Sequence, residues 1–395
     1  MGERQTASPP YARKQREERL AAMTYSDRLF RWRDPYDLAG TESLFAAALA
    51  ESAQRQAAGC PDYARILALR GYDRAALEAG DLSALPPIPT LYCKRHPLLS
   101  VPEKKLLVRA TSSGTGGTVS RMGLDAGSLL RGARMVWRMT RYHRLLSPRP
   151  CRYLILGYQP RRENQTAFSK TGYGFTFFAP ALSRTYALVW RDGSYRLELE
   201  GLRDRLLRCG RGSAPVRTIG FPAYTYLLLR RMEEEGVRLR LPKGSMVTMG
   251  GGWKQFEGRK VEKRELYRLA WEVLGIPEEN CVEFFGAVEH PILYTTCRSH
   301  HFHVPVYSRV IIRDPDTLEP APDGTPGLVN LLTPMAASMP ILSVMTDDLG
   351  ILHRAEECPC GIASPWLEIL GRVGARDIVT CAAGAADFLK GGGGA

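Results

Sequence analysis

Thr111-Ser112-Ser113-Gly114-Thr115-Gly116-Gly117-Thr118 is the segment of this sequence best suited to hold a polyphosphate. Small residues let backbone N–H groups approach phosphoryl oxygens, and hydroxyl side chains add donors around them. The segment is not a P-loop, because it lacks the Gly-Lys-Ser/Thr ending, and its composition also suits a plain connecting loop. Two carboxylates follow further on: Glu289, after Phe285-Gly286-Ala287-Val288, and Asp348, within Thr346-Asp347-Asp348-Leu349-Gly350. Taken singly, each could be a solvated or turn-capping acid. Cys297, His303, Cys358 and Cys360 offer thiolates and an imidazole, the donor set of a closed tetrahedral zinc site. His300 and His301 compete for the imidazole place, and buried apolar cysteines are the alternative.

The elements that must position these groups follow from periodicity. Residues 1–30 read as a charged, partly ordered arm, 41–56 as an Ala-rich helix and 63–78 as a second one. Pro86, Pro87 and Pro89 break the chain before a basic segment around Lys94 and Arg95. Residues 106–110 predict a strand that runs into the Ser/Thr/Gly loop. A helix then starts at Asp125 as N-cap, with Leu129, Leu130, Ala133, Val136 and Trp137 as its apolar stripe. Strands are predicted at 151–157, 216–221, 246–249 and 282–285. The helix at 224–235 is closed by Gly236 and the helix at 262–274 by Gly275. The strand at 246–249 ends in Gly250-Gly251-Gly252. Beyond residue 305 the texture changes to hairpins, 306–313 and 328–332 around a turn at Pro322-Asp323-Gly324. The fold class predicted is α/β with a β-rich appendage.

Composition excludes several classes of function. The formal charge is +13 over 395 residues, but Lys and Arg are scattered among acids and form no basic stripe with interleaved aromatics, so nucleic acid is not expected as a partner. A positive field that draws anions accounts for the charge. No apolar run approaches the roughly twenty residues needed to span a bilayer, so membrane insertion is not expected. The N-terminus lacks the apolar core of a signal peptide. Nine cysteines without framework spacing point to reduced thiols and a cytoplasmic protein.

The Ser/Thr/Gly loop resembles the phosphate loop of the adenylate-forming enzymes, the acyl-CoA synthetase superfamily, and the resemblance continues in order. Phe285-Gly286-Ala287-Val288-Glu289 is similar to that superfamily's aromatic-Gly-x-x-Glu segment, and Thr346-Asp347-Asp348-Leu349-Gly350 to its Thr-Gly-Asp-Leu-Gly segment. Gly371-Arg372 resembles the Gly-Arg that follows. The resemblance implies ATP held by Thr111, Ser112, Ser113, Gly114 and Thr115, magnesium on Glu289, ribose hydroxyls on Asp348, and Arg372 reaching the nucleotide. A finer resemblance, over roughly residues 85–390, is to the acyl-protein synthetases of the bacterial luminescence fatty-acid reductase system and their phenylacetate–CoA ligase relatives. It is carried by Gly250-Gly251-Gly252-Trp253-Lys254, Glu289-His290-Pro291, Phe302-His303-Val304-Pro305, Cys358-Pro359-Cys360-Gly361 and Ile369-Leu370-Gly371-Arg372. It implies that Gly250, Gly251 and Gly252 lie against the adenine and Lys254 near the phosphates or the acyl carboxylate. A structural zinc on Cys297, His303, Cys358 and Cys360 is implied as well.

Two departures shape the expectation. The phosphate loop lacks the Pro-Lys that often closes it, so part of the phosphate grip falls to another cation. The chain also stops soon after Arg372, where CoA ligases continue into a mobile C-terminal domain; its absence is shared with acyl-protein synthetases and argues against CoA as acceptor. Like them, the chain has a cysteine near its C-terminus, Cys381, which the resemblance makes an acyl acceptor. The division expected is a helical N-terminal arm (1–85), an α/β adenylation core (86–290), a β-rich subdomain with the zinc site (291–372) and a flexible tail (373–395). The function expected is ATP-dependent activation of a carboxylic acid as its acyl-adenylate, then transfer to a thiol of this chain or of a carrier protein. An aryl or amino-acid adenylating ligase loading a carrier protein, CoA or an amine is the alternative.

Overall fold

A computed structural model of the chain describes residues 22–112, 120–161, 164, 166–252 and 261–372. In chain order its strands are β1 Ile88–Pro89, β2 Val108–Thr111, β3 Arg121–Leu124, β4 Cys151–Tyr158, β5 Ala181–Arg191, β6 Ser194–Leu197, β7 Val216–Gly220, β8 Met246–Gly250, β9 Cys281–Ala287, β10 His290–Thr295, β11 Phe302–His303, β12 Arg309–Arg313, β13 Gly327–Leu332, β14 Ser343–His353 and β15 Trp366–Arg372. The helices are α1 Tyr25–Leu29, α2 Leu38–Gly59, α3 Pro61–Leu69, α4 Arg74–Glu78, α5 Thr90–Arg95, α6 Ala126–Tyr142, α7 Ala167–Phe175, α8 Leu199–Gly210, α9 Pro222–Glu234 and α10 Lys263–Leu274.

One sheet runs β10-β9-β8-β7-β4-β5-β6, with β9, β8, β7, β4 and β5 parallel and an antiparallel strand at each edge. Parallel strands need both faces covered. Leu154 and Leu156 of β4 point to one core with α8, α9 and α10, while Tyr153 and Ile155 point to another with Phe175 and Phe284. β4 and β7 approach so closely at their carboxyl ends that a Cβ on Gly220 would stand 2.3 Å from Leu156 Cβ. Strand order reverses beside β4, the place where open α/β sheets hold ligands beyond the carboxyl ends.

The second sheet runs β11-β15-β14-β13-β12 in antiparallel fashion, and β1 joins it parallel to β14. β14 changes partner along one side: Val344 and Met345 pair with β1, and the stretch from Asp348 to His353 pairs with β15. β2 and β3 form a separate hairpin. The strand read before the Ser/Thr/Gly loop is therefore β2, and a return strand, β3, stands between that loop and the helix that follows.

Three other local expectations differ from the structure. Residues 22–30, read as part of a charged, partly ordered arm, are packed into the fold: α1 is capped by Thr24, and Leu29 and Phe30 are fully buried, with Phe30 stacked on Tyr307. Residues 63–78 form two helices, because Gly71 turns left-handed at φ 70° and Asp73 caps a new start. On α6, Asp125 caps as expected, but Leu130 and Trp137 are 51% and 58% exposed. The packed face carries Ser128, Arg131, Met135 and Met139 instead. Arg131 tolerates burial because its guanidinium donates to Asp27 Oδ1 at 2.9 Å and to the Met335 carbonyl at 3.0 Å. The largest core joins these N-terminal helices to β10, β12, β13 and β15. No helix among the described residues is long and apolar enough to cross a membrane.

Candidate active site

β9 and β10 form a hairpin whose two turn residues are Val288 and Glu289, with Ala287 opposite His290. The turn puts the Glu289 carboxylate at the carboxyl end of the parallel sheet, yet only 8% exposed. Its partner is the buried hydroxyl of Ser120, which donates to Glu289 Oε1. Ser120 also closes the stem of the Ser/Thr/Gly loop. The Ser112 N–H donates to the Ser120 carbonyl at 3.0 Å, and the Ser120 N–H to Ser112 Oγ at 2.9 Å. Thr111, one residue before, pairs with Arg121 across the hairpin. The base of the loop is thus pinned to Glu289. Ser113, Gly114 and Thr115 lie outside the described residues, as do Lys254 and Cys381.

Gly250 ends β8, paired with Phe284 of β9, so it stands at the same sheet end as Glu289. Gly251 takes a left-handed φ of 78°, and nothing would crowd a Cβ at Gly252. Glycine at these positions leaves an open floor that a flat ring could approach.

Asp348 faces Arg372 across β14 and β15, and Arg372 Nε lies 3.8 Å from Asp348 Oδ1. Burial pushes the Asp348 carboxyl above its ordinary range. Arg372 and a bond from Thr346 oppose this, while the neighbouring carboxylates of Asp347 and Glu289 add to it. Glu289 and Asp348 therefore belong to one electrostatic neighbourhood, although nearly sixty residues separate them in sequence. Cys93 belongs there too: burial raises its thiol to about 12, with Glu289 contributing, which keeps it protonated and a poor nucleophile. Sequence reasoning missed Ser120, Asp347 and Thr90, whose Oγ1 donates to Asp347 Oδ1 at 2.9 Å. Ser120 lies just past the loop and could have been included; the part played by Thr90 and Asp347 depends on β1 lying against β14.

Cys297, His303, Cys358 and Cys360 do converge, with their ligand atoms all within 4.8 Å of one another. The Cys297 and Cys358 sulfurs are 3.7 Å apart, close to the edge of a tetrahedron with zinc–sulfur bonds of about 2.3 Å. His303 Nδ1 lies 2.6 Å from the Ser364 carbonyl, which can only accept, so Nδ1 carries the proton and Nε2 turns to Cys360 Sγ at 3.2 Å. Backbone N–H groups of Ser299 and Ile362 point at the sulfurs of Cys297 and Cys360. Burial pushes the Cys360 thiol up to about 12, and the sulfurs of Cys358 and Cys297 add to the shift. A metal ion reverses such a shift by binding the thiolates. His301 also reaches Cys358 Sγ, at 3.1 Å, while His300 turns away to Glu278. This cluster sits at the start of β15, where His303 pairs with Trp366. Arg372 is at its other end, about 20 Å away along the strand.

The family model described as "Acyl-protein synthetase, LuxE" matches residues 14–389. A long-chain-fatty-acid–luciferin-component ligase of Vibrio harveyi is 27% identical over 305 residues, 76% of this chain and 77% of that one. Its counterpart from Aliivibrio fischeri is 24% identical over 312 residues, 78% and 80% of the two chains. Among solved structures, 2-hydroxyisobutyryl-CoA ligase in an open conformation, in complex with 2-HIB-AMP and CoA, is similar with a TM-score of 0.64 at 15% identity. That likeness covers 87% of this chain and 77% of that one, and shows that the fold is that of an adenylate-forming ligase. Matched over nearly its whole length, the chain belongs to the acyl-protein synthetase (LuxE) family.

Proposed function

We propose that this protein activates a carboxylic acid with ATP and passes the acyl group to a thiol. The observation that carries the reading is Ser120, which ties the stem of the hydroxyl-rich loop to the buried Glu289 carboxylate. A carboxylate oxygen of the acid attacks the α-phosphorus of ATP, the bond to the bridging oxygen breaks, and pyrophosphate leaves with the electron pair. Asp348 accepts from the ribose hydroxyls, and Arg372 holds Asp348 in place until the nucleotide arrives. Magnesium, held by Glu289, would supply charge neutralisation on the phosphoryl oxygens. The thiol sulfur then attacks the acyl carbon, and AMP is the leaving group.

The relatives' names make a long-chain fatty acid the first acid to try. Cys297, His303, Cys358 and Cys360 fill every place of a tetrahedral zinc ion, so that metal would fasten β11 and β15 and take no part in chemistry. Pyrophosphate release, screened over fatty, aryl and amino acids, tests the reading, and release with no acid overturns it. Intact-mass measurement after turnover identifies the acceptor. A hydroxylamine-sensitive acyl mass that vanishes in Cys381→Ala assigns Cys381, and a label found only on an added carrier protein makes the chain a loading ligase.

A further inference from the structure

The loop Thr111–Thr118 contains hydroxyls and glycines but no basic residue. The carboxylates of Glu289 and Asp347 already act on that of Asp348. A triphosphate brings several further negative charges, and such a site needs a cation inside it. The partner change of β14 supplies one. β1 leaves β14 after Met345, and its chain turns at once into α5, which sets the first turn of α5 against Asp347. Thr90 Oγ1 donates to Asp347 Oδ1 at 2.9 Å, and Lys94, four residues on, reaches Asp347 Oδ2 at 3.4 Å. Between them in sequence, Cys93 feels the charge of Glu289. The Lys94 side chain is 16% exposed and the Asp347 side chain 11%. Arg372, by contrast, is 57% exposed and already shared between Asp347 and Asp348.

We propose that Lys94 is a side-chain cation that contacts the triphosphate during adenylation, beside the magnesium expected on Glu289, with Asp347 as its positioning residue; the proposal rests on the adenylating function above. An ammonium has three donors, and the long bond to Asp347 occupies one of them, leaving the others for phosphoryl oxygens. Lys94 acts as a fixed charge while the α-phosphorus is attacked and pyrophosphate departs.

The test uses the full chain with Lys94→Met, Lys94→Arg, Asp347→Asn and the double variant Lys94→Met/Asp347→Asn. Binding of ATP and of adenosine is measured by titration calorimetry, beside pyrophosphate release with the best acid. Loss of one preorganised charge contact predicts a fall in release of about 100-fold or more for Lys94→Met. ATP binding should weaken while adenosine binding stays unchanged, and Lys94→Arg should retain part of both. The double variant removes the ion pair without leaving a charge alone, so its fold is protected, and it should be as slow as Lys94→Met. Recovery of the double variant toward wild type would overturn the proposal, because Lys94 would then serve only to neutralise Asp347. Equal losses for ATP and adenosine would overturn it as well. A wild-type protein that binds ATP but releases no pyrophosphate with any acid defeats the adenylating function instead, and the ATP-against-adenosine comparison still decides whether Lys94 touches phosphate.

Discussion

Asp348 and Arg372 are cross-strand partners, and the same guanidinium reaches Asp347 Oδ2 at 3.5 Å, so one arginine bridges two adjacent, partly buried acids. Adjacent residues on a regular strand point to opposite faces. Here the ladder between β13 and β14 shifts register, with Leu328 opposite Leu349 but Asn330 opposite Met345, so Asp347 and Asp348 lie in an irregular stretch of β14 and both reach Arg372.

Asp348→Ala should weaken ATP binding far more than binding of 2′,3′-dideoxy-ATP. A carboxylate accepting hydroxyl donors contributes about 1.5–3 kcal/mol per bond, or roughly ten- to a hundredfold. Parallel titrations of the two nucleotides check this, and equal losses would remove Asp348 from the ribose.

Glu289→Gln and Ser120→Ala should both slow pyrophosphate release, by unequal amounts. The glutamine removes a charge at the reacting phosphates, for a loss of about 100-fold or more. Ser120→Ala removes one hydrogen bond to that charge, worth about 1.5–3 kcal/mol, and also frees the loop stem from Glu289. Melting temperatures of both variants should stay near wild type, which separates a slowed reaction from a damaged fold.

Zinc should be present at about one equivalent per chain, and Cys358→Ser should lower the melting temperature more than it lowers adenylation. A closed thiolate site contributes folding free energy directly, and this one stands about 20 Å along β15 from Arg372. Elemental analysis of protein purified without chelator, with thermal melts of the variant, checks both statements.

His143 should make the fold acid-sensitive. Burial pushes its imidazole down to about 4, and its Nε2 lies 2.6 Å from the Tyr36 hydroxyl. The unfolded chain takes up this proton near pH 6.5, while the folded chain holds out to about 4. The contribution to stability is therefore complete above pH 6.5 and is lost as pH falls toward 4, by roughly 3 kcal/mol over that window. Urea midpoints for wild type and His143→Gln at pH 7 and pH 4.5 should converge at the lower pH.

The sequence alone determined the chemistry of the donors and most of the parallel sheet. Strands that are buried on both faces are continuous apolar runs, and Gly236 and Gly275 mark helix ends because a left-handed residue terminates a helix without strain. The grouping of Cys297, His303, Cys358 and Cys360 was named from donor type and family resemblance, and the fold brings their ligand atoms within 4.8 Å of one another. Sequence could not say which face of α6 is inward, since the buried Arg131 is acceptable only where Asp27 and the Met335 carbonyl happen to meet it. Nor could it show that β3 returns from the loop to place Ser120 on Glu289, or that β1 beside β14 carries Lys94 to Asp347. Each of these contacts joins residues more than a hundred positions apart, and local periodicity holds no information at that range. Tertiary structure alone decided them, because a buried charge is stable only where the folded chain brings its partner.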